Sequence, residues 1–217
     1  MREPTEGAFT IAEENPPVPG CTVSALERSE ENYDIYHFSL AKHTNISAES
    51  YRYPKLIVAD SGSAELFTEH GAVTLREGEA IVTPLNVPIG VRTENGCVYT
   101  EIALRKEPHM NEIIKAGEVF SLKDLIPYQD GRIVNMDLID SPKLKFEVMS
   151  FAAGTGLSEH AAPGEAVVFA LDGQAVIGYE GKAYPICAGE NFKFAKNGLH
   201  SVKADGPFKM ALLLTLE

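Results

Sequence analysis

Gly154-Thr-Gly-Leu-Ser158-Glu-His160-Ala-Ala-Pro-Gly-Glu165-Ala-Val-Val-Phe-Ala-Leu-Asp172-Gly173 is the stretch from which the fold can be read, because a degraded copy of it lies earlier in the chain. The earlier copy carries Ser47-Ala-Glu49, Ser61-Gly62, Gly78-Glu79 and Pro84-Leu-Asn86-Val-Pro88-Ile89. Gly62 and Gly173, Gly78 and Gly189, Asn86 and Asn197, and Val91 and Val202 are each separated by 111 positions. At that register Glu49 falls opposite His160, and Ile89 opposite His200. A carboxylate replaces one imidazole and a branched alkyl group the other, so the reading is of two like domains, the second with a reaction chamber and the first blank.

The texture of both copies is that of short strands. Leu144, Phe146 and Val148 alternate with Lys143, Lys145 and Glu147, as a half-buried strand requires. Asp172-Gly173 lies between two apolar runs and predicts the positive φ of a tight hairpin, and Glu180-Gly181 predicts the next turn. Phe192 and Phe194 alternate with polar neighbours, and Phe208, Met210, Leu212 and Leu214 form one face of a closing strand. Many short strands broken by turn residues predict an all-β barrel or sandwich rather than alternating strands and helices.

The flanks differ. Residues 1–30, with Pro16, Pro17, Pro19 and Gly20, predict an extended arm or short edge strand. Residues 107–130 form a bridge, in which His109-Met-Asn-Glu-Ile-Ile-Lys-Ala-Gly117 has helical spacing and a glycine stop. The domains then fall at 31–106 and 131–217.

Composition removes several functions. With 217 residues, a net charge of −12 and no Lys/Arg-rich run, the chain offers nothing to a phosphate backbone or an anionic membrane surface. No apolar stretch reaches the roughly 20 residues of a spanning helix. The three cysteines, Cys21, Cys97 and Cys187, have unrelated spacings, so neither disulfide framework nor zinc motif is expected, and a reducing cytoplasm is the natural setting.

The second copy resembles the cupin superfamily. In its first motif His160 matches the second histidine and Gly173 the closing glycine, while Ser158 stands where the first histidine is usual. Its second motif is matched by Gly189, Asn197 and His200, with Ala195 in place of proline. The wording Gly-Leu-Ser-Glu-His is similar to that of small bacterial cupins without assigned activity. The resemblance implies two antiparallel jelly-roll barrels in one chain, joined by a short helical bridge.

It also implies a site. His160 and His200 would hold a divalent transition metal (Fe(II), Mn(II), Ni(II) or Zn(II)) with oxygen ligands, or act without metal as acid and base, since imidazole titrates near pH ~6.5. Glu165 is the candidate third ligand. Counted from His160 it fits the family spacing; counted from Gly173 it is one residue too early and Ala166 takes the place, unless a bulge at Pro163-Gly164 restores it. Ser158 would orient a ligand, and Phe192 and Phe194 would supply an apolar wall. Tyr51, Tyr53, Phe67 and Ile89 are expected to fill the first chamber. The expected partner is a small molecule, either turned over by oxidation or isomerisation or held by a non-catalytic sensor, in a chain that admits a homodimer.

Overall fold

The computed structural model describes residues 7–106 and 108–216. The first copy supplies β1 (Thr22–Ser29), β2 (Tyr33–Leu40), β3 (Thr44–Glu49), β4 (Lys55–Thr68), β5 (Gly71–Arg76), β6 (Glu79–Val82), β7 (Ile89–Thr93) and β8 (Cys97–Leu104). Two short strands follow, β9 (His109–Met110) and β10 (Val119–Ser121). The second copy supplies β11 (Ile133–Asp140), β12 (Leu144–Phe151), β13 (Thr155–Ala161), β14 (Glu165–Tyr179), β15 (Lys182–Cys187), β16 (Asn191–Phe194), β17 (Leu199–Ala204) and β18 (Phe208–Thr215). All pairings are antiparallel, and the strands form two nine-stranded sheets, one in each compact unit. Among the described residues no helix is long and apolar enough to cross a membrane.

In each unit one long strand serves two half-sheets. The first part of β14 pairs with β16 and β18, and its last residues pair with β15 and β17. The change of partner follows a bulge at Ala170/Asp172. Here the sequence expectation is corrected: Asp172-Gly173 does not turn a hairpin but bends an unbroken strand. The positive φ is present (Gly173, 71°), and a Cβ there would lie 2.0 Å from the Pro207 carbonyl oxygen. An extra residue in a strand increases twist and bends it, so the Asp-Gly signal that predicts a turn here encodes a fold-over. β4 repeats the device at Ala59/Ser61, with Gly62 at φ 71°. Glu180-Gly181 is the real turn, both residues having positive φ.

The second unit's core is built from alternating residues of opposed strands: Phe151, Ala166, Val168, Ala170, Ile177, Phe192, Phe194, Val202, Phe208 and Met210. Phe151, Phe192 and Phe208 are fully buried, and burying such a side chain contributes about 1.5–3 kcal/mol. The first unit encloses Leu40, Ile57, Ala59, Leu66, Leu75, Ile81, Val91 and Tyr99 in the same manner.

Of the two flanks, the bridge departs from expectation. Of the arm, residues 1–6 lie outside the described residues; the remainder contains a helical turn α1 (Ile11–Glu14) and β1, the outermost strand beside β2. The helix expected over 109–117 is absent. His109 and Met110 pair with Asp140 and Ile139, Gly117 has φ 85°, and the one helical turn among the described residues of the bridge is a 3-10 turn at Leu122–Asp124. Nine residues are too few to hold a helix without packing, and the open edge of β11 offers them backbone partners. The bridge is in fact the second copy of the arm. Phe120 pairs with Ala80, Phe9 pairs with Asn191, and Leu122 and Ile11 are both buried; each of these correspondences again spans 111 positions.

Candidate functional site

A bulge decides the aim of His160. Leu157 pairs with Val202 across β13 and β17, yet the next pair is His160 with His200, three residues on along one strand and two along the other. Val202 belongs to the interior core and Leu157 packs against it. Regular alternation from Leu157 would turn His160 outward; the extra residue puts it on the interior face beside His200. In a regular strand Ser158, two residues before His160, would share its face, and the bulge removes that relation.

The two imidazoles meet with ring centroids 4.2 Å apart and planes inclined by 52°. His160 Nδ1–H donates to the Ser158 carbonyl (2.8 Å), and His200 Nδ1–H to the Gly198 carbonyl (3.1 Å). A carbonyl can only accept, so both neutral rings carry their proton on Nδ1 and a lone pair on Nε2. His200 is 8% exposed and Phe194 stacks on it, centroids 4.1 Å apart. Burial, and after it the neighbouring His160, depresses its pKa against the opposing pull of the Gly198 carbonyl, which favours the neutral base. His160 is exposed and faces the solvent side of the pair.

The other candidates separate. Glu165 pairs with Thr215, on the strand face opposite Ala166, Val168 and Ala170, which form the core. No bulge intervenes between Glu165 and Ala170, so Ala166 takes the interior place and Glu165 is turned away from the interior. Ser158 contributes its carbonyl to His160, and its side chain is exposed. Phe192 is core, against Tyr179, Tyr184 and Phe194, while Phe194 alone touches a histidine.

Among the described residues no group of three or more His, Cys, Asp or Glu gathers to hold a metal. Two imidazoles fall short of the three protein ligands usual for a firmly held catalytic ion. The donor set on this chain does not by itself fit one.

The first barrel, expected to be filled by side chains, is open instead. A cavity of about 130 Å³ is lined by Phe38, Ile46, Glu49, Tyr51, Lys55, Ile57, Thr83, Ile89, Tyr99 and Glu101, among others. Tyr51 and Ile89 are walls rather than plugs, and Phe67 packs on Gly90 instead. Inside it Lys55 Nζ lies 2.9 Å from Glu101 and 3.5 Å from the centroid of the Tyr51 ring. Sequence reading passed over Lys55 and Glu101. Their signal was a charge at inward parity in otherwise apolar strands, Glu101 within the fully buried run Cys97–Leu104.

Comparison with solved structures is decisive for architecture. A cupin 2 conserved barrel domain protein from Leptotrichia buccalis superposes with a TM-score of 0.85 at 26% identity, covering 99% of both chains. The fold is a cupin fold. Two more distant likenesses agree in fold alone. Salicylate 1,2-dioxygenase from Pseudoaminobacter salicylatoxidans, solved with gentisate, gives a TM-score of 0.63 at 10% identity over 99% of this chain and 83% of that one. Protein Ylba from E. coli gives 0.58 at 13% identity over 89% and 82%. No family model and no curated protein matches the sequence. Within the cupin superfamily, then, the chain places its histidine pair in the second barrel and its described cavity in the first.

Proposed function

We propose that the protein is a two-barrel cupin whose second barrel binds a small polar metabolite at His160 and His200. The observation that carries this reading is the convergence of two rings on one interior face, each with Nδ1 committed to a carbonyl and Nε2 left basic. His200, kept neutral by burial, would accept a proton from a hydroxyl or an acidic C–H of the ligand. The exposed His160 would pass a proton to or from solvent. This division of roles suits isomerisation, and it serves equally a binding module that recognises a sugar hydroxyl or a carboxylic acid without turnover.

A thermal-shift screen of sugars, polyols and small organic acids tests it, because a ligand specific to the folded state raises the unfolding midpoint. Stabilisation that disappears in His200→Ala is expected. A flat response across all three classes would overturn the reading. Product analysis on the stabilising ligand then separates enzyme from sensor.

A second reading has its own support. Imidazoles whose Nδ1 atoms are held by carbonyls are oriented as metal-bound imidazoles are. Fe(II), Mn(II), Ni(II) or Zn(II) would take the two Nε2 atoms and complete its shell with ligands from outside the chain, supplying a Lewis acid or an oxidation centre. Elemental analysis of tag-free protein, before and after reloading, distinguishes this from the metal-free site: about one equivalent supports it, less than about a tenth excludes it.

A further inference from the structure

The repeat gives an internal control on which residues the fold requires. At the positions where the second barrel has Ala162, Ala166 and Leu212, the first has Tyr51, Lys55 and Glu101. Ala162 and Ala166 are buried in the second core and Leu212 packs against it, so this architecture closes with small or aliphatic side chains at all three. Nothing in the barrel demands a buried ion pair there. Such a pair is expensive to desolvate and is often no more stabilising than apolar residues of the same size. Phe194, which occupies the second interior, corresponds to Thr83 in the first, and that exchange of a ring for a hydroxyl helps to leave the cavity open.

The lining has a definite charge logic. Lys55 and Glu101 cancel one another, leaving the exposed carboxylate of Glu49 at the wall, where it accepts a hydrogen bond from the Tyr51 hydroxyl. Arg92, on the neighbouring strand β7, is engaged by Glu65 at 2.7 Å. Phe38 and Tyr99, stacked with centroids 5.0 Å apart, and Ile46, Ile57 and Ile89 make the rest of the wall apolar. Carboxylates on an aromatic and aliphatic surface suit a cation with a hydrocarbon body. Size limits that body: an apolar cavity of about 150 Å³ holds benzene, so about 130 Å³ takes a molecule of about six non-hydrogen atoms.

We propose that the cavity of the first barrel is a second ligand site, which takes a small organic monocation, a protonated alkylamine of about benzene size, with its ammonium group at Glu49 and its chain against Phe38, Ile57 and Ile89.

The test is calorimetric titration of the full chain with n-butylammonium, guanidinium, butyrate and n-butanol. Binding of n-butylammonium in preference to its carboxylate and alcohol counterparts is expected, weakened at least tenfold in Glu49→Gln and unchanged in His200→Ala. The exposed position of Glu49 keeps that variant folded. A second variant, Lys55→Ala with Glu101→Leu, copies the sister barrel and avoids stranding one buried charge; it should retain the fold by circular dichroism and, because Glu49 is untouched, keep the preference for the amine over butyrate. The proposal fails if butyrate or n-butanol binds as well as the amine, if no amine binds, or if Glu49→Gln leaves amine affinity unaltered.

Discussion

Phe194 lies nearly flat against the His200 imidazole, with the two planes only 27° from parallel. The ring excludes water from one face of the base, and burial is the leading cause of its depressed pKa. Phe194→Thr, the residue that the first barrel uses at this place, should therefore raise the His200 pKa toward the ordinary imidazole range near ~6.5. Histidine proton shifts followed by NMR through a pH titration read this directly; an unmoved midpoint would mean that the ring's shielding is irrelevant.

Deleting Glu159 tests the bulge. Without the extra residue β13 and β17 would pair regularly, and His160 would turn to the outer face. Ligand stabilisation in the thermal-shift assay should be lost while the circular dichroism of the barrel persists. Retention of full ligand response would show that the pairing of the rings has no part in binding.

The first unit carries a buried polar chain with a consequence for pH. The Thr100 hydroxyl lies between the Asp60 carboxyl (2.7 Å) and His37 Nδ1 (3.0 Å), within hydrogen-bond distance of both. Burial pushes the Asp60 carboxyl up to about 8. A carboxyl whose folded pKa lies above its unfolded value favours the folded state while protonated, and that contribution fades as pH rises from the unfolded value of about 4 through 8. Denaturant midpoints should fall between pH 5 and 9, and Asp60→Asn should flatten the slope. An identical slope in the variant would place the titrating group elsewhere.

Gly173→Ala should cost on the order of 3 kcal/mol, combining an unfavourable positive φ with a Cβ driven into the Pro207 carbonyl. Gly181→Ala, also at positive φ but with open space around it, should cost about 1 kcal/mol. Urea denaturation of the two variants distinguishes crowding from backbone strain alone.

Strand alternation made the barrels legible, since a period of two marks the interior faces in Leu144, Phe146 and Val148 and in Phe208 and Met210 without any long-range information. The His160–His200 pair was legible through the repeat. What failed involved single-residue shifts. One bulge undid the parity argument for Ser158, another converted a supposed Asp-Gly hairpin into a bend, and the glutamate register turned on a single position that went to Ala166. A bulge leaves almost no mark in composition, because it is fixed by what the partner strand does. The first chamber was misjudged for a different reason: Tyr51 and Ile89 are large enough to fill a space, and only their placement shows that they border it.

The lead-in segments carry a lesson for anyone cutting this chain in two. Phe9 bonds through its backbone to Asn191, and Phe120 pairs with Ala80, so neither compact unit is a single contiguous stretch of polypeptide. A fragment severed midway would express a sheet with one border strand missing and a leftover segment that its own half does not use. The two fragments are complementary in what they lack, so producing both together would return each border segment to the sheet that uses it.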